Sequence, residues 1–364
     1  MKIKALSLEN FRNYQSEKII WHDKINVICG MNAQGKSNLL EAICYLSLSS
    51  SFRGATDSEL LSYEKDFFRL CGDVENKEIN SQIVVAYNKN KRKFWQIDGQ
   101  SKTKISQIIG RFHTIIFSPE DLYLVKSGPE TRRKFFDRLM AQLYPDFYAL
   151  LLRYHQTLRQ RNRLLKTDTI SDEQLAPWNQ QFAFLAAQIV KRRLEALKSL
   201  MPFAAKIHKN ISQKEQLSVA YQGLLSENIL YDLSIEQLTE SYLSAMARLA
   251  QAEKIRMITL LGPHRDDFQL LIDNLPARRF ASQGQQRSAA LSLKLAEMEL
   301  AKAKRDYYPV LLLDDVMSEL DIYRRQQLLS LMTGKAQTFI TATDLNFRLL
   351  DGEKFIVENG KIKP

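Results

Sequence analysis

Eight residues near the amino terminus have the types and spacing to hold a triphosphate: Gly30-Met31-Asn32-Ala33-Gln34-Gly35-Lys36-Ser37. Glycines at both ends let backbone N–H groups close around a β-phosphate, and a helix starting where the loop ends adds partial positive charge. Lys36 can reach the β- and γ-phosphates, and the Ser37 hydroxyl can ligate Mg²⁺. A second set lies far along the chain, where Val310-Leu311-Leu312-Leu313 runs into Asp314-Asp315. A carboxylate leaving a buried strand beside such a loop is placed to hold Mg²⁺, which assigns Asp314 to the metal. Asp315, one residue on, stands where a general base for an attacking water belongs. A third set, Ser282-Gln283-Gly284-Gln285-Gln286, opens a helix with a serine and a glycine, a second phosphate-binding device. Ser318-Glu319-Leu320-Asp321 follows the paired acids directly.

These residues need strands and helices to carry them. Ile25–Cys29 is a β-branched apolar run suited to a buried parallel strand, and residues 38–46 have apolar positions at helical spacing. Strand, glycine loop and helix are thus in the order the loop requires. Residues 2–11 read as an opening strand with Arg12-Asn13-Tyr14 at its end. Segments 69–74, 79–87 and 91–98 read as an antiparallel meander, and 113–118 as another buried strand stopped by Pro119. From Glu120 the period becomes helical over 130–144, 146–166 and 173–200, punctuated by Pro145, residues 167–171 and Pro202. Residues 216–221, 255–261 and 267–273 have strand character, with a helix over 235–253 between the first two. The last hundred residues return to α/β alternation: a helix over 285–305, strand 310–313, a helix near 322–332, strand 338–341 and a hairpin around Glu358-Asn359-Gly360. The fold class is therefore α/β: an ATPase-type head with an antiparallel β subdomain and a compact, mainly helical lobe without a long coiled coil. The expected segments are 1–120, 121–255 and 256–364.

Composition narrows the setting. The 364 residues carry 45% hydrophobic and 26% charged side chains, and no apolar run approaches the ~20 residues of a membrane span. Residues 1–20 are charged throughout and lack a signal-peptide core. Cys29, Cys44 and Cys71 have no metal-ligand spacing, so a cytoplasmic location is expected. Of the net charge of +11, residues 126–214 hold +10, with 17 Lys/Arg against 7 Asp/Glu. A charge excess across consecutive helices points to an anionic polymer. Candidate contacts there are Arg132, Arg133, Lys134, Arg159, Arg161, Arg163, Lys191, Arg192 and Arg193. Tyr144, Tyr148 and Tyr154 lie among them and could stack on bases, although core burial is the simpler role for each. His264-Arg265-Asp266-Asp267 reads as a turn with satisfied polar groups rather than a metal site. Met31, Trp21, Trp95 and Trp178 read as packing residues.

In these positions the sequence resembles the ABC-type ATPases, with 282–286 in the signature position and 318–321 in the D-loop position. Nearly 280 residues separate the phosphate loop from the paired acids, and the insertion is helical and basic. That layout is similar to the SMC-like branch. Leu8-Glu9-Asn10-Phe11-Arg12-Asn13-Tyr14, Phe117-Ser118-Pro119-Glu120-Asp121-Leu122, Pro129-Glu130-Thr131-Arg132-Arg133 and Gly262-Pro263-His264-Arg265-Asp266-Asp267 then resemble the RecF family.

The resemblance implies ATP and Mg²⁺ as cofactors and ATP held between two copies of the chain. It also implies slow, DNA-dependent hydrolysis that releases the dimer. Single-stranded and duplex DNA at gaps would be the target, with RecO and RecR as partners in bringing RecA there and no membrane partner. Residue by residue, Gly30 to Ser37 would bind phosphates, with Lys36 and Asp315 catalytic and Ser37 and Asp314 on the metal. Arg12 and Asn13 would lie beside the nucleotide. Ser282, Gly284 and Gln285 would complete the partner's site, Asp321 would touch the opposite loop, and the Glu120–Asp121 segment would hold the γ-phosphate sensor. Many ABC ATPases carry a histidine where this chain reads Thr341-Ala342-Thr343-Asp344. A hydroxyl can bond a γ-phosphate but carries no charge near neutral pH, which fits slow turnover. Two other readings remain: the ATPase subunit of a transporter, and a nucleotide-gated clamp whose hydrolysis is incidental.

Overall fold

A computed structural model describes residues 1–363 except 78, 91, 168–170, 213, 226, 333 and 344–350. The chain forms two compact units, Met1–Leu122 with Lys294–Pro364, and Tyr123–Leu293.

In the first unit, β1 (Lys2–Phe11) and β2 (Tyr14–Ile20) form a hairpin, followed by β3 (Ile25–Cys29) and α1 (Lys36–Leu48). The meander is β4 (Phe67–Asn76), β5 (Ile79–Asn88), β6 (Arg92–Ile97) and the short β7 (Gln100–Lys102); β8 (Thr114–Phe117) ends this part. The meander joins the first hairpin in an antiparallel sheet of order β2-β1-β4-β5-β6-β7.

The second unit begins with α2 (Pro129–Leu143), α3 (Pro145–Leu164) and α4 (Asp172–Ser212). Proline at N1 opens both α2 and α3, where its missing N–H leaves no bond unmade. Pro202, expected to end the third helix, lies inside α4, which continues ten residues beyond it to Ser212. Ala204, Ile207 and Ile211 are buried past the proline, and that packing holds the helix where local propensity would break it. Then come β9 (Leu217–Gln222), α5 (Glu227–Asp232), α6 (Ile235–Arg256), β10 (Asp267–Ile272), β11 (Leu275–Pro276), α7 (Ala277–Phe280) and α8 (Gln283–Arg305). The strand expected over 255–261 does not form. Ile255 belongs to α6 and is 71% exposed, and Met257 closes that helix in the left-handed region at φ 54°. The lobe expected over 121–255 extends to Leu293, because β10 pairs antiparallel with β9 and so belongs with the helices.

The chain rejoins the first unit at Lys294, within α8, and continues with β12 (Val310–Leu313), α9 (Val316–Glu319), α10 (Ile322–Met332), β13 (Thr338–Ala342), β14 (Gly352–Glu358) and β15 (Lys361–Lys363). These join β3 and β8 in a sheet of order β15-β14-β3-β13-β12-β8, parallel except for the terminal hairpin. Helix α1 is apolar nearly all round, and its buried Leu39, Leu40, Ile43 and Leu46 pack in one core with residues of both sheets. Trp21 lies edge-on to Phe339 and Phe355 in that core. Among the described residues, no helix is long and apolar enough to cross a membrane.

Candidate nucleotide site

The loop between β3 and α1 hangs from three directions within the first unit. Tyr14 donates its hydroxyl to the Gly35 carbonyl at 3.0 Å, and Asn13 Nδ2 donates to the Gln34 carbonyl at 2.8 Å. The Asn359 and Gly360 N–H groups of the β14–β15 turn donate to Gln34 Oε1 and O at 2.6 and 3.2 Å. The Gly30 N–H donates to the Ala342 carbonyl at the end of β13. Two glycines are required here: a Cβ at Gly30 would stand 2.4 Å from the Val357 carbonyl oxygen, and one at Gly35, φ 118°, would meet Asn13 at 2.6 Å. Lys36 is buried and bends back to the Gly30 and Met31 carbonyls at 2.8 and 3.0 Å, so its ammonium lies against the loop. Met31, Asn32 and Ala33 form the exposed tip. Met31 is 74% exposed, which corrects the expectation that it packs.

Parallel register brings the remaining groups together. Because β12 lies beside β13 and β13 beside β3, the acids leaving β12 emerge near the loop leaving β3. The Ser37 hydroxyl bonds the Asp314 carboxylate. Burial, foremost, holds the Asp314 carboxyl above its ordinary value; the Ser37 bond pulls it back down and the Asp315 charge raises it further. Thr341, at the end of β13, accepts the Asp315 N–H at 2.8 Å and reaches Asp314 Oδ1 at 3.2 Å. Asp315 itself turns in the left-handed region at φ 52°. Asp344 lies outside the described residues.

A hydroxyl and a buried carboxylate, both hard oxygen donors, fit Mg²⁺, which takes few protein ligands and completes its shell with water and phosphate. The raised Asp314 marks a carboxylate that a cation would relieve.

Two residues important to this arrangement carried no sequence signal of their own. Glu41, fully buried on α1, takes a bidentate pair from Arg12 at 2.9 and 3.0 Å and the Ser51 hydroxyl. Arg12 is therefore tied to α1 and to the Glu59 carbonyl, while Asn13 bonds Asn38 and the loop directly. Arg53, in the loop after α1, donates to Asn38 Oδ1 at 3.2 Å, and its charge lowers Asp314. Asp121 is bonded to Ser118 within its own turn and paired with Lys294, while Glu120 is exposed. Asp321 accepts the Arg324 N–H at 2.9 Å at the start of α10, and that bond lowers its carboxyl.

In the second unit, Ser282 is exposed at the start of α8. Its hydroxyl accepts the Gln285 N–H while Gln285 Oε1 accepts the Ser282 N–H, a reciprocal helix cap. Gln285 Nε2 donates to Glu215, whose other oxygen meets buried His208 at 3.2 Å. Gly284 is half-buried in the first turn.

The basic lobe divides sharply. Arg132, Arg161 and Arg193 are at most 4% exposed and face Asp267, Glu253 and Asp137 respectively. A guanidinium bonded to a buried or half-buried carboxylate cannot reach a phosphate on the surface, so these three leave the set of nucleic-acid contacts. Arg133 donates to the Asp266 carbonyl, Lys191 to the carbonyls of Leu230 and Tyr231, and Arg192 pairs with Asp146. Lys134 pairs with Glu130 on the surface. Arg159 and Arg163 are exposed, and among the described residues neither has an ion-pair partner. Tyr154 is buried against His264 Nδ1 at 2.6 Å, which removes it from any stacking role. His264 lies in a tight turn as expected, although its Nε2 has no partner, and burial pushes its imidazole down to about 4.

A phosphate loop, paired acids on a neighbouring parallel strand and an antiparallel subdomain define the class: an ABC-type ATPase head of the SMC kind. Comparisons with known proteins agree. The profile described as RecF/RecN/SMC N terminal domain matches residues 2–352. A Bacillus cytotoxicus protein named DNA replication and repair protein RecF is 40% identical over 350 residues, covering 95% of this chain and 93% of its own. One of the same name from Bacillus cereus is 39% identical, covering 100% of this chain and 98% of its own. A solved structure of the recombination mediator protein RecF with ATP in the RecFOR pathway superposes with TM-score 0.93 at 35% identity, over 99% of this chain and 96% of its own. An Smc head bound to a ScpA domain, 15% identical with TM-score 0.56, shares the fold over 100% of this chain and 96% of its own. The chain belongs to the RecF family.

Proposed function

We propose that this chain binds ATP with Mg²⁺, joins a second copy through it on DNA at single-strand gaps, and hydrolyses it slowly to release the pair. The gathering of Ser37, Asp314, Thr341 and Asp315 beside the Gly30–Ser37 loop carries this reading. The similar solved RecF structures, described with ATP and ATPrS in the RecFOR pathway, support it. Bound Mg²⁺ would neutralise charge on the phosphates. Lys36 holds its charge against the loop, Ser37 and Asp314 present oxygens to the metal, and Asp315 accepts a proton from water. Ser282 and Gly284, at an exposed helix start, would complete the nucleotide site of the second copy, with Asp321 touching its loop. Arg133, Lys134, Arg159, Arg163, Lys191 and Arg192 make the phosphate-facing surface, and RecO and RecR are the expected partners in bringing RecA to the gap.

Sedimentation velocity with ATP-Mg²⁺ and gapped DNA tests the reading. The wild-type chain should double in mass with ATP, while Ser282→Arg should bind nucleotide and stay single. A wild-type chain that stays single in saturating ATP-Mg²⁺ and DNA overturns the reading, as does a Ser282→Arg chain that still pairs.

A further inference from the structure

Just before Ser282, β11 and α7 carry Leu275-Pro276-Ala277-Arg278-Arg279-Phe280. Arg278, Arg279 and Phe280 are exposed, Phe280 at 61%, and the Arg279 guanidinium lies 5.6 Å from the Phe280 ring centroid. Among the described residues neither arginine has an acidic partner. Both line a cavity of about 480 Å³ whose other walls include Val125, Arg132, Leu270 and Pro276. Arg132 is cancelled there by Asp267, held at 2.7 and 2.8 Å, so the cavity's net positive charge comes from Arg278 and Arg279. Two adjacent cations without counter-charge, beside an apolar floor and an exposed aromatic ring, ask for an anionic ligand with a flat apolar face.

We propose that this element holds a single strand of nucleic acid, with Arg278 and Arg279 on successive phosphates and Phe280 stacked on an unpaired base. Phosphate alone would leave the ring unused, and a closed duplex would hide the face that Phe280 needs. The proposal rests on the DNA-binding reading above and assigns the contacts with unpaired strand to this element.

The test is fluorescence anisotropy of the full chain with labelled oligo(dT) and with a blunt duplex of equal length, each titrated over salt in ATP-Mg²⁺, with unlabelled dTMP as competitor. Arg278→Glu with Arg279→Glu should lower the slope of log affinity against log salt on oligo(dT) by roughly 1.4, about 0.7 for each phosphate released. Phe280→Ala should weaken oligo(dT) about tenfold and leave the duplex unchanged, while Phe280→Trp should keep wild-type affinity. Competition by dTMP at micromolar concentration would assign the cavity to a free nucleotide and overturn the proposal. Wild-type affinity and slope in the arginine variant overturn it, as does equal loss on strand and duplex in Phe280→Ala. Loss of ATP-driven pairing with DNA affinity intact would assign the element to the second copy instead. If the wild-type chain binds neither DNA, the wider reading fails with it; if only the variants behave as wild type, this proposal alone fails.

Discussion

The Thr341 hydroxyl holds the backbone N–H of Asp315 at 2.8 Å, so the end of β13 fixes the turn in which Asp315 leaves β12. Thr341 is 2% exposed and also contacts Asp314 Oδ1. Thr341→Val keeps the volume but leaves the Asp315 N–H without its acceptor, at a cost of about 1–3 kcal/mol. Denaturant midpoints should fall accordingly, ATP turnover should slow roughly tenfold, and Thr341→Ser should restore both.

Asp315→Asn removes the proton acceptor and leaves its shape. Turnover should drop by about 10²–10⁴, with nucleotide affinity and ATP-driven pairing retained. Phosphate release measured beside nucleotide titration separates these effects. Unchanged turnover takes the role of base away from Asp315.

Arg161 separates charge that builds the lobe from charge that could serve a ligand. Its guanidinium meets Glu253 at 2.5 Å, Asn179 at 2.7 Å and Thr259 at 2.8 Å. Arg161→Ala strands a carboxylate that is 0% exposed and should cost about 3–5 kcal/mol. Arg159→Ala and Arg163→Ala should stay within about 0.5 kcal/mol of wild type in stability. On the proposed function, each should lower the salt slope of DNA binding by roughly 1. Urea melts and binding isotherms on the same three variants decide the point.

These contrasts mark how far the sequence could be read. The Gly30–Ser37 loop, the acids after β12 and the helix start at Ser282 are local patterns, complete within a few residues. Strand β2 carries little signal of its own because it lies at a sheet edge and its Tyr-Gln-Ser-Glu-Lys-Ile-Ile has only weak alternation. The Arg12–Glu41 pair joins side chains 29 residues apart on a turn and a helix, and nothing in either segment announces the other. The charge excess marks the basic lobe but does not distinguish an arginine inside from one outside. Arg161 and Arg163 are two residues apart on α3, and helical geometry turns one inward and the other to water.

Gly360 ties the far carboxyl terminus to nucleotide affinity. At φ 71°, a Cβ there would stand 2.2 Å from the Asn13 carbonyl oxygen, so Gly360→Ala must displace the β14–β15 turn. That displacement loosens both of the turn's bonds to Gln34 and should weaken ATP binding about tenfold. Gly99→Ala is the control: φ is 78°, but nothing lies within 4 Å, so it carries backbone strain alone. Titration with a fluorescent ATP analogue should separate the two variants, and equal affinities would remove the turn from the loop's support.

His113 contributes to the response to acid. It is fully buried, neither ring nitrogen has a partner, and burial pushes its imidazole from the ordinary 6.5 down to about 3. Between those values the unfolded chain binds the proton and the folded chain does not. Stability therefore rises with pH through this window and is lost as pH falls from about 6.5 toward 3. His264, pushed down to about 4, acts in the same sense in the second unit. His113→Leu keeps an apolar group of similar size and removes the titration. Unfolding free energies from urea melts at pH 7 and pH 5 should then differ less than in the wild type, by up to about 1.4 kcal/mol per pH unit. A variant that keeps the full acid sensitivity would place its origin elsewhere than His113.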